Sequence, residues 1–336
     1  MEKRGLGKTK IEASVIGFGG IPIQRVSKEM AIELIREANN KGINFIDTAR
    51  GYNESENLIG EALELIGRDK FYLATKSMKR DYSGMLEEVN TSLEQLRTDY
   101  IDLYQFHNVR SFDELDIIMG ENGALKALKE VKEKGLIKEI GITSHSPEIL
   151  SKAIDTGEFA TIQCPYNPVE RQAEEVFKKA KEMNIGVIVM KPLAGGAIRN
   201  GELSLRFIVD NPNITVAIPG MDDLEQITIN ATVGINRRKL TEEEEKTLLE
   251  EANSLGAEFC RRCGYCLPCP QGIDIPTQFL MEGYYTRYNL KEWAQTRYDA
   301  METRAVHCIQ CGICETKCPY NLPIRKMLKN VVAKLG

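Results

Sequence analysis

The sequence predicts an α/β protein: an eight-stranded parallel (β/α)8 barrel followed by a small, mainly helical C-terminal domain. Three observations lead there. Residues 1–255 alternate short β-branched runs with longer charged, amphipathic stretches, eight times over. The competing open, doubly wound sheet would want a phosphate-binding G-x-G-x-x-G after its first strand. The nearest run, Gly17-Phe-Gly19-Gly20-Ile-Pro22, lacks the third glycine. Finally, eight of the nine cysteines crowd into the last quarter of the chain, which marks that region as a separate unit.

The elements follow in order. Strands are expected at Val15–Phe18, Asn44–Asp47, Phe71–Thr75, Ile101–Phe106, Glu139–Thr143, Thr161–Cys164, Gly186–Met190 and Thr215–Ile218, where β-branched and aromatic residues cluster. Helical spacing of apolar residues predicts helices over Lys28–Lys41, Glu54–Ile66, Gly84–Leu96, Ala124–Lys134, Glu170–Lys181 and Asp222–Thr232. Ser27 is the expected N-cap of the first. The connection Asn108–Ile117 reads as a loop. One more helix, over 241–255 and capped by Thr241, is expected to pack on the barrel, so the domains divide as 1–255 and 256–336. Between the two cysteine runs lie 38 residues, Pro270 to His307, of mainly helical character. The last helix carries Ile324, Leu328, Val331, Val332 and Leu335, an apolar stripe at helical spacing.

The 336 residues, 42% hydrophobic and 28% charged, have the composition of a soluble globular protein with room for one large domain and one small one. A net charge of −5 gives no basic footprint for nucleic acid. No apolar run approaches the ~20 residues that span a bilayer. The opening Met-Glu-Lys-Arg-Gly-Leu-Gly-Lys has no apolar signal-peptide core, so a cytoplasmic location is expected. Such a location also keeps thiols reduced. Cys164 stands alone and reads as a small buried side chain.

The cysteine runs are Cys260-Arg-Arg-Cys263-Gly-Tyr-Cys266-Leu-Pro-Cys269-Pro270 and Cys308-Ile-Gln-Cys311-Gly-Ile-Cys314-Glu-Thr-Lys-Cys318-Pro319. Thiolates at i, i+3 and i+6 on a looping backbone can reach three corners of a cubane, and a fourth cysteine before proline reaches the other cluster of a two-cluster ferredoxin. The second run fits that pattern fully; the first is one residue short before Cys269. The reading is eight ligands for two [4Fe–4S] clusters. With crossed fourth ligands, Cys260, Cys263, Cys266 and Cys318 hold one, and Cys308, Cys311, Cys314 and Cys269 the other. Two structural zinc sites or four disulfides are the alternatives.

In a (β/α)8 (TIM) barrel, functional groups gather where strands end. Asp47, Tyr52, Lys76 and His107 fall at or just beyond the ends of three successive strands. Together they permit carbonyl reduction. A phenol ordinarily loses its proton near pH 10, too high for an efficient donor at neutral pH, and a nearby ammonium stabilises the phenolate. Asp47 would hold Lys76 in place, and His107 would orient the carbonyl oxygen.

These residues resemble a known family. Phe45-Ile-Asp47-Thr-Ala-Arg-Gly-Tyr52-Asn-Glu-Ser55-Glu56-Asn-Leu-Ile-Gly60 is similar to the signature of the aldo-keto reductases, as are Ala74-Thr-Lys76, Asp102-Leu-Tyr-Gln-Phe-His107, Gly141-Ile-Thr-Ser-His and Ile218-Pro-Gly220. The C-terminal cysteines match the branch carrying a ferredoxin-like extension. The resemblance implies NADPH or NADH as cofactor, a small-molecule carbonyl substrate and Tyr52 as acid. It implies cofactor contacts at Gly20, Thr143, Ser144, Gln163, Met190, Leu193, Gly195, Gly196, Gly220, Gln226 and Asn230. Met190 replaces the usual aromatic against the nicotinamide. Gly220 and Gln226 replace the lysine and arginine that many NADP-dependent members use, and Asp222 and Asp223 add negative charge there, which weakens a phosphate contact and leaves NADH a serious candidate, although helix N-terminal amides could still hold a phosphate. Nicotinamide moves two electrons and each cluster one, so a flavin is a possible go-between, although no motif marks one. The clusters then exchange electrons with a redox partner protein, or are structural or redox-sensing. A third reading is a non-catalytic electron-transfer scaffold.

Overall fold

The computed structural model describes every residue except Ala257, Cys263 and Pro319. The chain groups into two compact units. The first comprises Met1–Asn167, Arg171–Pro192 and Asn200–Thr241; the second comprises Pro168–Glu170, Leu193–Arg199 and Glu242–Gly336.

The first unit opens with an antiparallel hairpin, β1 (Lys3–Gly5) and β2 (Glu12–Ser14). Eight strands then build one parallel sheet: β3 (Phe18–Gly19), β4 (Phe45–Asp47), β5 (Tyr72–Ser77), β6 (Ile101–Phe106), β7 (Ile137–Thr143), β8 (Thr161–Pro165), β9 (Gly186–Met190) and β10 (Val216–Ile218). Each pairs with its neighbours in sequence. Parallel bridges Ile16–Ala217 and Gly19–Gly220 bring the two ends of the sheet together into a barrel. Leu6, Ile11 and Ala13 of the hairpin segment pack with Phe45, Ala74, Leu103, Ile188 and Val216 inside it. Gly141 on β7 is required by that packing, because a Cβ there would sit 2.2 Å from Thr161 Oγ1.

The helices of this unit are α1 (Lys28–Asn40), α2 (Ser55–Ile66), α3 (Tyr82–Gln95), α4 (Phe112–Met119), α5 (Ala124–Glu133), α6 (Pro147–Asp155), α7 (Glu174–Glu182), α8 (Gly201–Asp210) and α9 (Leu224–Ile235). In α1, Ser27 accepts the Met30 N–H, and Ala31, Leu34, Ile35 and Ala38 form the buried stripe. Each leucine or isoleucine so buried contributes about 1.5–3 kcal/mol.

Several local expectations change. The first barrel strand, expected over Val15–Phe18, is Phe18–Gly19. The segment read as a loop, Asn108–Ile117, contains the start of α4, capped by Ser111, which accepts the Glu114 N–H. The β1–β2 hairpin was not expected, since three-residue strands carry too little alternation to read. The helix expected over Glu170–Lys181 begins at Glu174, and Pro168–Glu170 groups with the second unit. Among the described residues no helix is long and apolar enough to cross a membrane.

The second unit contains α10 (Glu242–Gly256), α11 (Ile275–Thr286), α12 (Lys291–Asp299), α13 (Ile313–Thr316) and α14 (Ile324–Leu335). Ile324, Leu328, Val331 and Leu335 of α14 are buried with Phe279, Met281 and Tyr298, and Cys266 and Cys314 lie in the same core. Aromatic packing tightens it: Tyr284 and Trp293 meet edge to face at 4.8 Å, and the Arg297 guanidinium sits 3.7 Å above the Trp293 ring.

Candidate functional site

Alternation along the strands builds the barrel site in layers. Phe45 and Asp47 share a face of β4, Ala74 and Lys76 a face of β5, and Leu103 and Gln105 a face of β6. The first of each pair belongs to the apolar interior. The second therefore lies one layer nearer the C-terminal ends, where the sequence turns polar.

Lys76 is fully buried, and its Nζ donates to Asp47 Oδ2 at 2.5 Å and to the Thr48 carbonyl at 2.7 Å. Gln105 Nε2 donates to the other carboxylate oxygen, Oδ1, at 3.3 Å. Burial pushes the Asp47 carboxyl above, and the Lys76 ammonium below, its ordinary range, and each partner opposes the shift of the other. The Tyr52 ring centre lies 5.1 Å from Lys76 Nζ. The His107 ring stands nearly perpendicular to it at 5.8 Å. Burial, then the charges of Lys76, Arg80, Lys191 and Arg110, hold the His107 imidazole well below its ordinary value, so it is neutral at pH 7.

The loop carrying Tyr52 is pinned from below. Arg50 N–H donates to the Lys76 carbonyl at 3.0 Å, and the Tyr52 carbonyl accepts from Ser55 N–H at 2.9 Å. Arg50 Nη1 donates to Glu56 Oε2 at 2.5 Å, and fully buried Glu56 also accepts from Thr75 Oγ1 at 2.6 Å and Ser92 Oγ at 2.9 Å. Gln105 and Glu56 were assigned no role from the sequence. Period-two spacing from Leu103 through Gln105 to His107 is the signal that could have found the first. Glu56 meets its partners only through tertiary packing.

The residues implied as cofactor contacts divide. Gln163 is buried, its amide close enough to Asp47 to help hold that carboxylate ionised, and neither amide atom has a partner of good hydrogen-bond geometry. A buried amide so weakly engaged suits a ligand carboxamide. Thr143 Oγ1 accepts the Asn108 N–H at 2.6 Å, and Ser144 Oγ donates to the Val109 carbonyl at 2.6 Å, so both also fix the loop after β6. Met190 ends β9, half-buried. Gly20 N–H donates to the Asp47 carbonyl at 2.8 Å. Gly220 packs against Pro22, Gln226 Oε1 accepts the Asp222 N–H, and Asn230 is buried on α9. Leu193, Gly195 and Gly196 belong to the second unit, where the Tyr288 hydroxyl lies 3.2 Å from where a Gly195 Cβ would stand. The two acids expected to repel a phosphate are engaged: Asp222 pairs with Arg25 at 3.1 Å, and Asp223 caps α9 by accepting the Glu225 N–H.

In the second unit the two cysteine runs share a backbone pattern. Arg262 and Gln310 are left-handed at equivalent positions, as are Gly264 and Gly312, so each run curls the same way. The described cysteines are free thiols. One cavity is lined by Cys308, Cys311 and Cys314 together with Cys269. A second is lined by Cys260 and Cys266 together with Cys318. Cys263 lies outside the described residues. Arg262 N–H points at Cys260 Sγ (3.4 Å), and Gln310 Nε2 at Cys308 Sγ (3.3 Å), as donors to a thiolate would. This donor set, drawn from both runs in each cavity, fits a pair of iron–sulfur clusters.

The model of the Aldo/keto reductase family matches residues 15–203, and that of the 4Fe-4S dicluster domain matches residues 259–323. An uncharacterized oxidoreductase of Bacillus subtilis, YqkF, is 28% identical over 74% of this chain and 95% of its own. The NADH-specific methylglyoxal reductase of Escherichia coli is 31% identical over 59% of this chain and 69% of its own. A solved aldo-keto reductase of Bacillus halodurans, in its holo form, superposes with a TM-score of 0.65 at 26% identity, covering 76% of this chain and 96% of that one. The chain is therefore an oxidoreductase of the aldo/keto reductase family with a C-terminal 4Fe-4S dicluster domain.

Proposed function

We propose that the protein reduces a small aldehyde or ketone with NADH or NADPH, that Tyr52 is the proton donor, and that two [4Fe–4S] clusters exchange electrons with a partner. The observation that carries the reading is the buried Lys76–Asp47 ion pair against the Tyr52 ring, with the neutral His107 ring perpendicular to that ring. When bound, nicotinamide would supply the hydride, and Gln163 would hold its carboxamide. The His107 imidazole orients the carbonyl oxygen, and the Tyr52 hydroxyl gives that oxygen its proton. The Lys76 ammonium stabilises the phenolate left behind, and Asp47 and the Thr48 carbonyl keep the ammonium in place. The named Escherichia coli relative reduces methylglyoxal with NADH, which supports a small carbonyl substrate.

The crossed cavities support clusters held by Cys260, Cys263, Cys266 and Cys318, and by Cys308, Cys311, Cys314 and Cys269.

Replacing Tyr52 by Phe tests the barrel reading. Carbonyl reduction should fall by about 10²–10⁴-fold, the usual contribution of a positioned acid, with nicotinamide affinity unchanged. Reduction surviving the change would refute Tyr52 as donor. An anaerobic titration of the iron-loaded protein with NADH and then NADPH tests the coupling: bleaching of the visible cluster band supports electron exchange between nicotinamide and clusters, and a steady band means that the barrel works apart from them.

A further inference from the structure

We infer that the face around Cys311 docks an acidic one-electron carrier protein, and that the cluster bound there is the port through which electrons pass. The inference rests on the iron–sulfur reading and deepens it.

Among the described cysteines of the two runs, Cys311 is the exposed one; the others are half-buried or buried. The apolar side chains beside it in sequence also face solvent: Val306 is 56% exposed, Ile309 62% and Ile313 42%. Packing does not need them there. All four helical neighbours that do make the core of this unit on α14 are buried. Ile309 also lines the cavity with Cys311, so exposed apolar surface adjoins the redox ligand, as at a contact surface.

Charge identifies the partner. The chain carries a net −5, yet residues 301–336 hold six Lys or Arg against two Glu. Arg325 lines the cavity with Ile309 and Cys311, and it also lines an adjoining depression with Lys326 and Lys329. Glu315 offsets Arg325 at 2.7 Å, Glu258 offsets Lys326 at 2.6 Å, Asp299 offsets Arg304 at 3.0 Å, and Glu282 pairs with Lys334. Lys317 and Lys329 remain as exposed positive charges with no such carboxylate among the described ion pairs. An apolar centre with a positive rim is complementary to an acidic protein. The transfer itself needs no bond change. One electron leaves the reduced carrier, which is oxidised, and enters the oxidised cluster, which is reduced.

The test uses the full chain with its clusters. Under anaerobic conditions it is mixed in a stopped-flow instrument with a pre-reduced plant-type [2Fe–2S] ferredoxin, an acidic carrier, and bleaching of the cluster band is followed. The second-order rate should fall about tenfold or more from low to high salt, as expected for opposite charges. Lys326→Glu with Lys329→Glu should remove most of that salt dependence at unchanged iron content, whereas Lys178→Glu on α7 should leave it alone. Ile309→Ser should slow transfer at every salt concentration. A rate in the wild-type protein that is flat or rises with salt overturns the docking face, whatever the variants do. A wild-type preparation without the visible band would instead refute the iron–sulfur reading beneath it.

Discussion

Replacing Lys76 by Met separates what the lysine does for stability from what it does for chemistry. The side chain is fully buried, and its Nζ has two hydrogen-bond acceptors, Asp47 Oδ2 and the Thr48 carbonyl. Losing it leaves the Asp47 carboxylate buried with only the neutral amides of Gln105 and Gln163 beside it, and breaking a buried pair this way costs about 3–5 kcal/mol. The chemical effect is worked from distance. With Nζ 5.1 Å from the Tyr52 ring centre, the attraction for a phenolate is about 3 kcal/mol at an effective dielectric near 20. Asp47 offsets part of it, so this is an upper value. At about 1.4 kcal/mol per decade, the turnover loss is roughly a hundredfold.

Denaturant unfolding and steady-state carbonyl reduction measure the two effects. Lys76→Met should be both less stable and slow. Adding Asp47→Asn should restore much of the stability, since no buried charge is left, and none of the rate. The single variant turning over within about threefold of the wild type would refute the claim that the ammonium acts on Tyr52. A rate recovered in the double variant would refute it too, because stability alone would then account for the loss.

Two further predictions follow from the same geometry. His107 is held neutral, so its folded form refuses a proton that the unfolded chain accepts near pH 6.5. Its contribution is therefore intact above about pH 6.5 and shrinks as pH falls toward the depressed native value. The urea midpoint of the wild type should drop more on acidification than that of His107→Gln, and equal drops would contradict the burial argument. The crossed ligands make the second: Cys269→Ala and Cys318→Ala should each cost half the iron. Adding Cys308→Ala to Cys269→Ala should then lose no more, while adding Cys260→Ala to it should remove the rest. The reverse pattern would place all four cysteines of each run on one cluster.

Much of the barrel was legible because two periodicities dominate it. Ile101–Phe106 and Gly186–Met190 are observed at the bounds expected from their β-branched runs, and α1 starts at Lys28 behind its Ser27 cap. The start of the helix expected from Glu170 moved to Glu174. Nothing in Glu170 itself says that it leaves the following helix to pair, fully buried, with Arg262 at 3.3 Å. The candidate tetrad could be named from strand ends. Its support could not, because Glu56, Thr75 and Ser92 are far apart in the chain and meet only when α2, β5 and α3 pack.

The chain order of residues alone determined the alternation that makes a barrel, the strand-end position of Asp47, Lys76 and His107, and the spacing of two cysteine runs. These are local properties, fixed by side-chain period and by the reach of a few residues. Which cysteine of one run shares a cavity with the other run, whether Asp222 is an unpaired anion or the partner of Arg25, and which carboxylate pins the Tyr52 loop were decided by tertiary structure. Each is a meeting of groups distant in sequence, and only packing sets the distance between them.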